Sequence, residues 1–127
     1  LKQGNKRAML LFGFANPELM QVDNLHLSNN TPKIGEEITF SFELNLAITK
    51  KQKVRIEYIV HFVKANGKPS PKVFQLKELA MQPGKHSITK KHAFKNLSTR
   101  KHYPGRHKFE VVVNGEVKAS ATLTLHL

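Results

Sequence analysis

The amino-acid sequence predicts an all-β domain, an immunoglobulin-like sandwich of about seven antiparallel strands preceded by a short helical or irregular segment. Apolar and polar residues alternate with a period of two through most of the chain from Glu18 onward, as in strands with one buried face. Turn-forming residues interrupt this alternation roughly every 8–12 residues, which is typical of a sandwich. The chain has 127 residues and no cysteine, so we expect one domain that buries a core without disulfides.

The first segment, residues 5–14, is apolar and short. Asn5 is a candidate helix N-cap and Gly13 a candidate stop. A helix of this length is marginal in water on its own, so we expect the segment to pack against another part of the protein.

The predicted strands begin with residues 18–28, after which Pro32 and Gly35 turn the chain. The next two strands carry apolar residues at every second position. These are Ile38, Phe40, Phe42, Leu44 and Leu46 in one strand, and Val54, Ile56, Tyr58, Val60 and Phe62 in the other. Asn66-Gly67 predicts a hairpin turn. Pro69 and Pro71 follow it, and they predict an edge strand because proline cannot donate a ladder hydrogen bond.

The C-terminal half repeats this pattern. Residues 85–94 are predicted as a strand, Phe109 begins another alternating run, and Asn114-Gly115 is the strongest hairpin signal in the chain. Tyr103 precedes the penultimate strand, where a tyrosine corner belongs in such folds. The last strand is expected to present one apolar face, made of Val117, Ala119, Ala121, Leu123, Leu125 and Leu127.

Positive charge is concentrated in the middle of the chain. The sequence has 21 Lys and Arg against 9 Asp and Glu, a formal net charge of +12. Residues 50–108 hold 16 of the basic residues and only two acids, so the remainder is slightly acidic. Such a field attracts polyanions or anionic membrane surfaces, and the alternative is that it only maintains solubility.

The basic segments are the candidate binding residues, because Lys and Arg at this density suit phosphate contacts. Few aromatic residues are interleaved with them, so we expect backbone contacts rather than base stacking or sequence-specific readout. The candidates for nucleic-acid binding are Lys64, Lys68, Lys72, Lys90, Lys91, Arg100, Lys101, Arg106 and Lys108. The alternative is a solvated face whose lysines prevent edge-to-edge strand pairing.

The sequence predicts no catalytic, metal or cofactor site. Basic residues surround His86, His92, His102 and His107 along the chain, and such a field repels a metal cation. The acids are scattered, no Ser–His–Asp set is evident, and there is no Gly-rich phosphate loop. No apolar run approaches the ~18 residues of a membrane span, and no signal peptide is visible. We therefore expect a cytoplasmic, membrane-free domain.

Three longer runs resemble a known family. They are KIGEEITFSFEL (33–44), YIVHFVKANGKPSPKVFQLKEL (58–79) and LSTRKHYPGRHKFEVVVNG (97–115). The runs resemble the C-terminal β-sandwich domain of some bacterial DNA alkylation repair proteins, those of the AlkD-like HEAT-repeat family. Residues 1–14 resemble the end of the helical repeats in those proteins. The resemblance implies that residues 1–16 are a linker or the end of a preceding helical-repeat domain, and that residues 17–127 are the sandwich.

The resemblance also implies a function for the parent protein, DNA repair, with a DNA glycosylase as one interpretation. The residues to which that family's base excision is attributed lie in the helical repeats, so none is carried over to this chain. The chain would be a non-catalytic accessory domain with two partners, DNA through the parent protein and the helical-repeat domain in cis. Two roles stay open. The domain adds non-specific contacts to the DNA backbone, or it is a structural or protein-interaction domain that caps the helical repeats.

Overall fold

The structure, a computed structural model, describes residues 2–97 and 101–127, with side chains for residues 7–97 and 101–127. A helix and a short 3-10 turn precede seven strands. Their bounds are α1 Lys2–Leu11, the 3-10 turn Pro17–Leu19, β1 Met20–Leu27, β2 Glu37–Leu46, β3 Gln52–Val63, β4 Pro69–Met81, β5 Gly84–Ala93, β6 Gly105–Val113 and β7 Glu116–Leu125. No helix in the described part of the chain is long and apolar enough to cross a bilayer.

The strands form two antiparallel sheets that pack face to face. One sheet has the order β1-β2-β5, and the other has the order β4-β3-β6-β7. The predicted sandwich of seven antiparallel strands is confirmed. The strand β4, which begins with Pro69 and contains Pro71, lies at a sheet edge as predicted.

The core lies between β2 and β3, where the period-two pattern predicted burial correctly. All five alternating apolar residues of each strand are buried. Phe40 packs edge-on against Tyr58 and Phe109, with ring centroids 4.9 and 5.5 Å apart. Burial of one such side chain contributes about 1.5–3 kcal/mol to stability, so these two strands supply much of the apolar stabilisation.

The last strand keeps the predicted alternation from Ala119 to Leu125, where the odd-numbered residues are the less exposed ones. The alternation breaks only at the start of the strand. A register shift there places Val117 opposite Val112, whereas Ala119 is opposite Val111, so Lys118 is an extra residue between them. Leu127 follows the strand and is 86% exposed, so it does not continue the predicted apolar face.

The N-terminal segment is attached to the sandwich at the β6–β7 turn. Asn114 is fully buried there with a positive φ of 47°. Its carboxamide nitrogen donates to the carbonyl of Ala15 (2.6 Å), and its carboxamide oxygen accepts from the backbone N–H of Arg55 (2.7 Å). The helix ends before Gly13, as predicted, but it begins at Lys2, so Asn5 lies inside it and is not its N-cap.

Candidate nucleic-acid interface

One end of the sandwich carries a cleft between the β3–β4 hairpin and the loop that leads into β6. The cleft has a volume of about 320 Å³. Its lining residues are Phe62, Val63, Lys64, Ala65, Ser70, Pro71, Lys72, Lys101 and Tyr103. We call it the basic cleft, because three of the predicted binding lysines, Lys64, Lys72 and Lys101, line it. Lys64 and Lys72 belong to the hairpin, whereas Lys101 follows β5 in the sequence.

The hairpin wall of the basic cleft is shaped by the predicted Asn66-Gly67 turn. Gly67 has a φ of 82°, a conformation that glycine adopts at little cost. The backbone N–H of Lys64 donates to the carbonyl of Lys68 (2.9 Å), and the side chain of Asn66 accepts from the N–H of Lys68 (3.0 Å). The turn is therefore well defined, and it leaves both lysine side chains exposed.

The opposite wall is positioned by His102. Its imidazole is buried against Phe62 and Phe94, with ring centroids 5.5 and 5.7 Å away, and its backbone N–H donates to the side chain of Asn96 (2.8 Å). Because this residue points inward, its neighbours Lys101 and Tyr103 line the cleft.

Close backbone packing brings the two walls together. Gly105 has a φ of 139°, and a Cβ atom built on it would lie 3.2 Å from a methyl carbon of Val63. A larger residue at this position would push the loop away from the end of β3. The close approach of the loop to the end of β3 thus depends on this glycine.

The predicted tyrosine corner at Tyr103 stays a prediction. That motif requires a hydrogen bond from the hydroxyl to backbone a few residues upstream, and residues 98–100 lie outside the described part of the chain. The half-buried ring of Tyr103 lines the basic cleft. An aromatic side chain therefore stands among the lysines, a placement that the sequence pattern did not predict.

The other predicted binding residues lie elsewhere. Lys68 is at the exposed tip of the hairpin, and Arg106 and Lys108 lie on β6. The ammonium of Lys108 is 3.7 Å from Oε2 of Glu110, and Oε1 of the same carboxylate lies 2.6 Å from Nε2 of His61. That outer face of the four-stranded sheet is therefore of mixed charge and less suited to a polyanion than the cleft.

The pair on β5 is divided between two faces, because neighbouring strand residues point to opposite sides. Lys91 is opposite Thr39, and its ammonium lies 3.9 Å from a carboxylate oxygen of Glu37. Lys90 is opposite the buried Phe40 at the sheet edge. The last candidate, Arg100, lies outside the described residues.

Three buried histidines pack in the core at this end of the sandwich. The sequence did not predict this structural role. His92, His102 and His107 pack edge-on against the Phe94 ring. The hydroxyl of Tyr58 lies 3.0 Å from Nδ1 of His92. The described residues contain no group of three His, Asp or Glu side chains placed to hold a metal ion.

His107 gives a testable pH dependence. Burial lowers its pKa from the ordinary value of 6.5, and a hydrogen bond from Nδ1 to the carbonyl of Gly105 (3.0 Å) opposes this only in part. Nε2 is buried without a hydrogen-bond partner in the described part of the chain, so a proton there would be unsatisfied.

We expect stability to fall as the pH drops below about 6.5, because the unfolded state then binds a proton that folded His107 resists. Urea denaturation between pH 8 and pH 5 measures this. His107→Asn keeps an N–H group near Nδ1 and should flatten the profile. The matched control His126→Asn, at an exposed position, should leave the profile as it is. Equal profiles for His107→Asn and the unchanged chain would contradict the prediction.

Comparison with known proteins gives the family. The model of the family described as "Uncharacterised protein YhaZ, C-terminal Ig-like domain" matches residues 21–127. The chain belongs to this family of YhaZ C-terminal Ig-like domains. It is 43% identical over 121 residues to the uncharacterized protein YhaZ of Bacillus subtilis, an alignment that covers 94% of the chain and 33% of that protein. The immunoglobulin-like fold predicted from the sequence is thereby confirmed.

A solved structure extends the comparison to DNA repair. The Pseudomonas fluorescens alkylpurine DNA glycosylase AlkC, bound to DNA containing an abasic site analog, superposes with a TM-score of 0.88 and 35% identity. The match covers 99% of this chain and 35% of AlkC, so the YhaZ-type domain spans about a third of both relatives. The link to DNA alkylation repair proteins is supported through AlkC, and this support does not extend to AlkD-like proteins specifically.

More distant structures share the fold alone. A β-glucosidase from Listeria innocua matches with a TM-score of 0.64 at 17% identity, over 85% of this chain and 16% of the enzyme. A β-glucosidase from Bifidobacterium adolescentis gives 0.63 at 13% identity, over 84% of the chain and 17% of the enzyme. At such identities the likeness carries no information about activity.

Proposed function

We propose that this domain is a non-catalytic accessory part of a DNA alkylation repair protein, and that it adds non-specific contacts to the DNA backbone. The observation that carries the proposal is the meeting of Lys64, Lys72 and Lys101 around the basic cleft. Three ammonium groups on one concave surface attract a chain of phosphates more strongly than the same charges spread over the domain.

The chemistry of the cleft supports a binding role. No Asp, Glu or His is among the described residues that line it, so no carboxylate opposes the lysines. The same residues, His, Asp and Glu, are the side chains that most often act as general acids and bases, so their absence from this lining favours binding over catalysis. The similar AlkC was solved in complex with DNA, which supports nucleic acid as the ligand class.

The proposal also covers the catalytic residues and the location of the parent protein. We place the catalytic residues of a DNA glycosylase outside this chain, in a preceding helical-repeat domain that resembles those of AlkD-like proteins, with residues 1–16 as the link. A repair protein of this kind acts in the bacterial cytoplasm, where its DNA is found.

A structural role is the second candidate, and the exposed end of α1 favours it. Leu11 and Phe12 are 81% and 73% exposed, next to the buried Phe14. Apolar side chains exposed in this number mark a contact surface, and a preceding domain in cis would cover them. This role requires no affinity for DNA.

Binding of the 127-residue chain to labelled duplex DNA across a salt series tests the proposal. We expect a dissociation constant in the micromolar range at physiological salt, similar for duplexes of scrambled sequence. We also expect a log–log salt slope of about −0.9 for each phosphate neutralised. Binding confined to low salt would overturn the DNA-contact role and favour the structural one. Release of a base from alkylated DNA by this chain would overturn its non-catalytic assignment.

A further inference from the structure

The basic cleft contains an aromatic side chain, Tyr103, which contacts to the DNA backbone do not require. Its half-buried ring stands beside Lys101, and the apolar residues Val63 and Pro71 also line the cleft. Lysines alone suffice to bind phosphates, whereas an aromatic ring with apolar neighbours offers a surface for the face of a base. A lysine rim around such a surface suits a nucleotide whose base is unstacked.

The backbone on both sides of the ring is held in place before any ligand binds. His102, the residue before it, is fixed by the contact with Phe62 and the hydrogen bond to Asn96, and Gly105 packs closely on Val63. An ordered backbone reduces the conformational entropy that is lost when a base packs on the ring.

The size of the cleft limits the ligand. Its volume of about 320 Å³ is at the lower end of the range for pockets that hold one small molecule, about 300–1,000 Å³. It therefore suits one nucleotide rather than a stretch of stacked bases.

We infer that the basic cleft binds an unstacked nucleotide of a DNA strand, with the base against Tyr103 and the adjoining phosphates on Lys64, Lys72 and Lys101. This inference rests on the proposed function and deepens it, because it names unpaired or distorted DNA as the preferred form. Intact duplex would use the lysines without the ring, and would bind more weakly.

The experiment compares single-stranded and duplex DNA of the same length, with 2-aminopurine as the fluorescent base in the single strand. We expect tighter binding of the single strand and a change in fluorescence when the base leaves its neighbours in the strand and packs on the ring. Tyr103→Ala should weaken single-strand binding roughly 10-fold, change duplex binding less than about 2-fold and leave the salt slope unchanged. Tyr103→Phe should bind like the unchanged chain.

Each remaining outcome decides the question. Tyr103→Leu keeps an apolar side chain, and it should match the alanine variant if the aromatic face matters; retained single-strand binding in this variant overturns the inference. Absence of any fluorescence change with the unchanged chain does the same, even if Tyr103→Ala fails to fold. Free deoxyadenosine monophosphate that competes as well as the strand would make the cleft a mononucleotide site and overturn its assignment to DNA. Salt-dependent duplex binding that does not depend on Tyr103 would still support the proposed function. No binding to any form of DNA would contradict both the proposed function and the inference about Tyr103.

Discussion

Asn114→Ala is expected to lower the free energy of unfolding by about 3–5 kcal/mol. The substitution leaves the N–H of Arg55 and the carbonyl of Ala15 without their partner, which costs about 2–3 kcal/mol for the two groups together because the bond to Arg55 is only partly buried. It also places alanine at a φ of 47°, which adds about 1–2 kcal/mol of backbone strain. Urea denaturation should show a lower midpoint at an unchanged m-value.

The chain offers a matched control, because its two Asn-Gly turns share a sequence and differ in environment. Asn66 is exposed and has no positive φ, and its side chain accepts one hydrogen bond from the N–H of Lys68. Asn66→Ala should cost less than about 1 kcal/mol. Asn114→Gly adopts the required φ freely, so its effect measures the lost hydrogen bonds alone. Equal costs for the two alanine variants would disprove the bridging role of Asn114.

The second large effect is expected on DNA binding, when the three cleft lysines Lys64, Lys72 and Lys101 are replaced with glutamine together. If each contacts a phosphate, the log–log salt slope should decrease in magnitude by about 2–3, since each neutralised phosphate contributes about 0.9. Affinity at low salt should fall by about 10- to 100-fold. Fluorescence anisotropy with a labelled duplex measures both quantities.

A second triple variant separates a local site from the general field of the domain. Lys50, Lys51 and Lys85 are exposed and lie at the other end of the sandwich, near the β2–β3 loop and the start of β5. Their replacement with glutamine removes the same charge, so it should change affinity only slightly if the cleft is the site. Equal losses in the two variants would mean that the net charge of +12, and not the cleft, binds DNA.

Sequence reasoning succeeded where the governing interactions are local. The alternation in β2 and β3 predicted every buried position, because a strand with one covered face has a strict period of two. It also held in β7 from Ala119 to Leu125 and failed only at the start of that strand, where the shift at Val111 and Val112 arises from pairing between strands. It also treated Lys90 and Lys91 as one patch, although adjacent strand residues point to different faces.

In the candidate site, too, the sequence predicted what depends on neighbouring residues and missed what depends on contacts between distant segments. Lysine density identified the hairpin and the loop as separate basic segments, and Lys64, Lys72 and Lys101 were among the predicted residues. The pattern did not place the ring of Tyr103 among the lysines, since the lining of a cleft depends on contacts between segments far apart in the chain. The two Asn-Gly dipeptides were equivalent in sequence, and only the N-terminal segment packed beside Asn114 distinguishes them.

The amino-acid sequence by itself determined the sandwich class, the inward positions of its central strands, the edge position of β4 and the concentration of positive charge. These follow from side-chain periodicity, proline chemistry and composition, which act within a few residues. Only the tertiary structure decided which charges meet. The basic cleft exists because the buried His102 and the close approach of Gly105 to Val63 bring two distant segments together, and such contacts are set by packing between strands far apart in the chain.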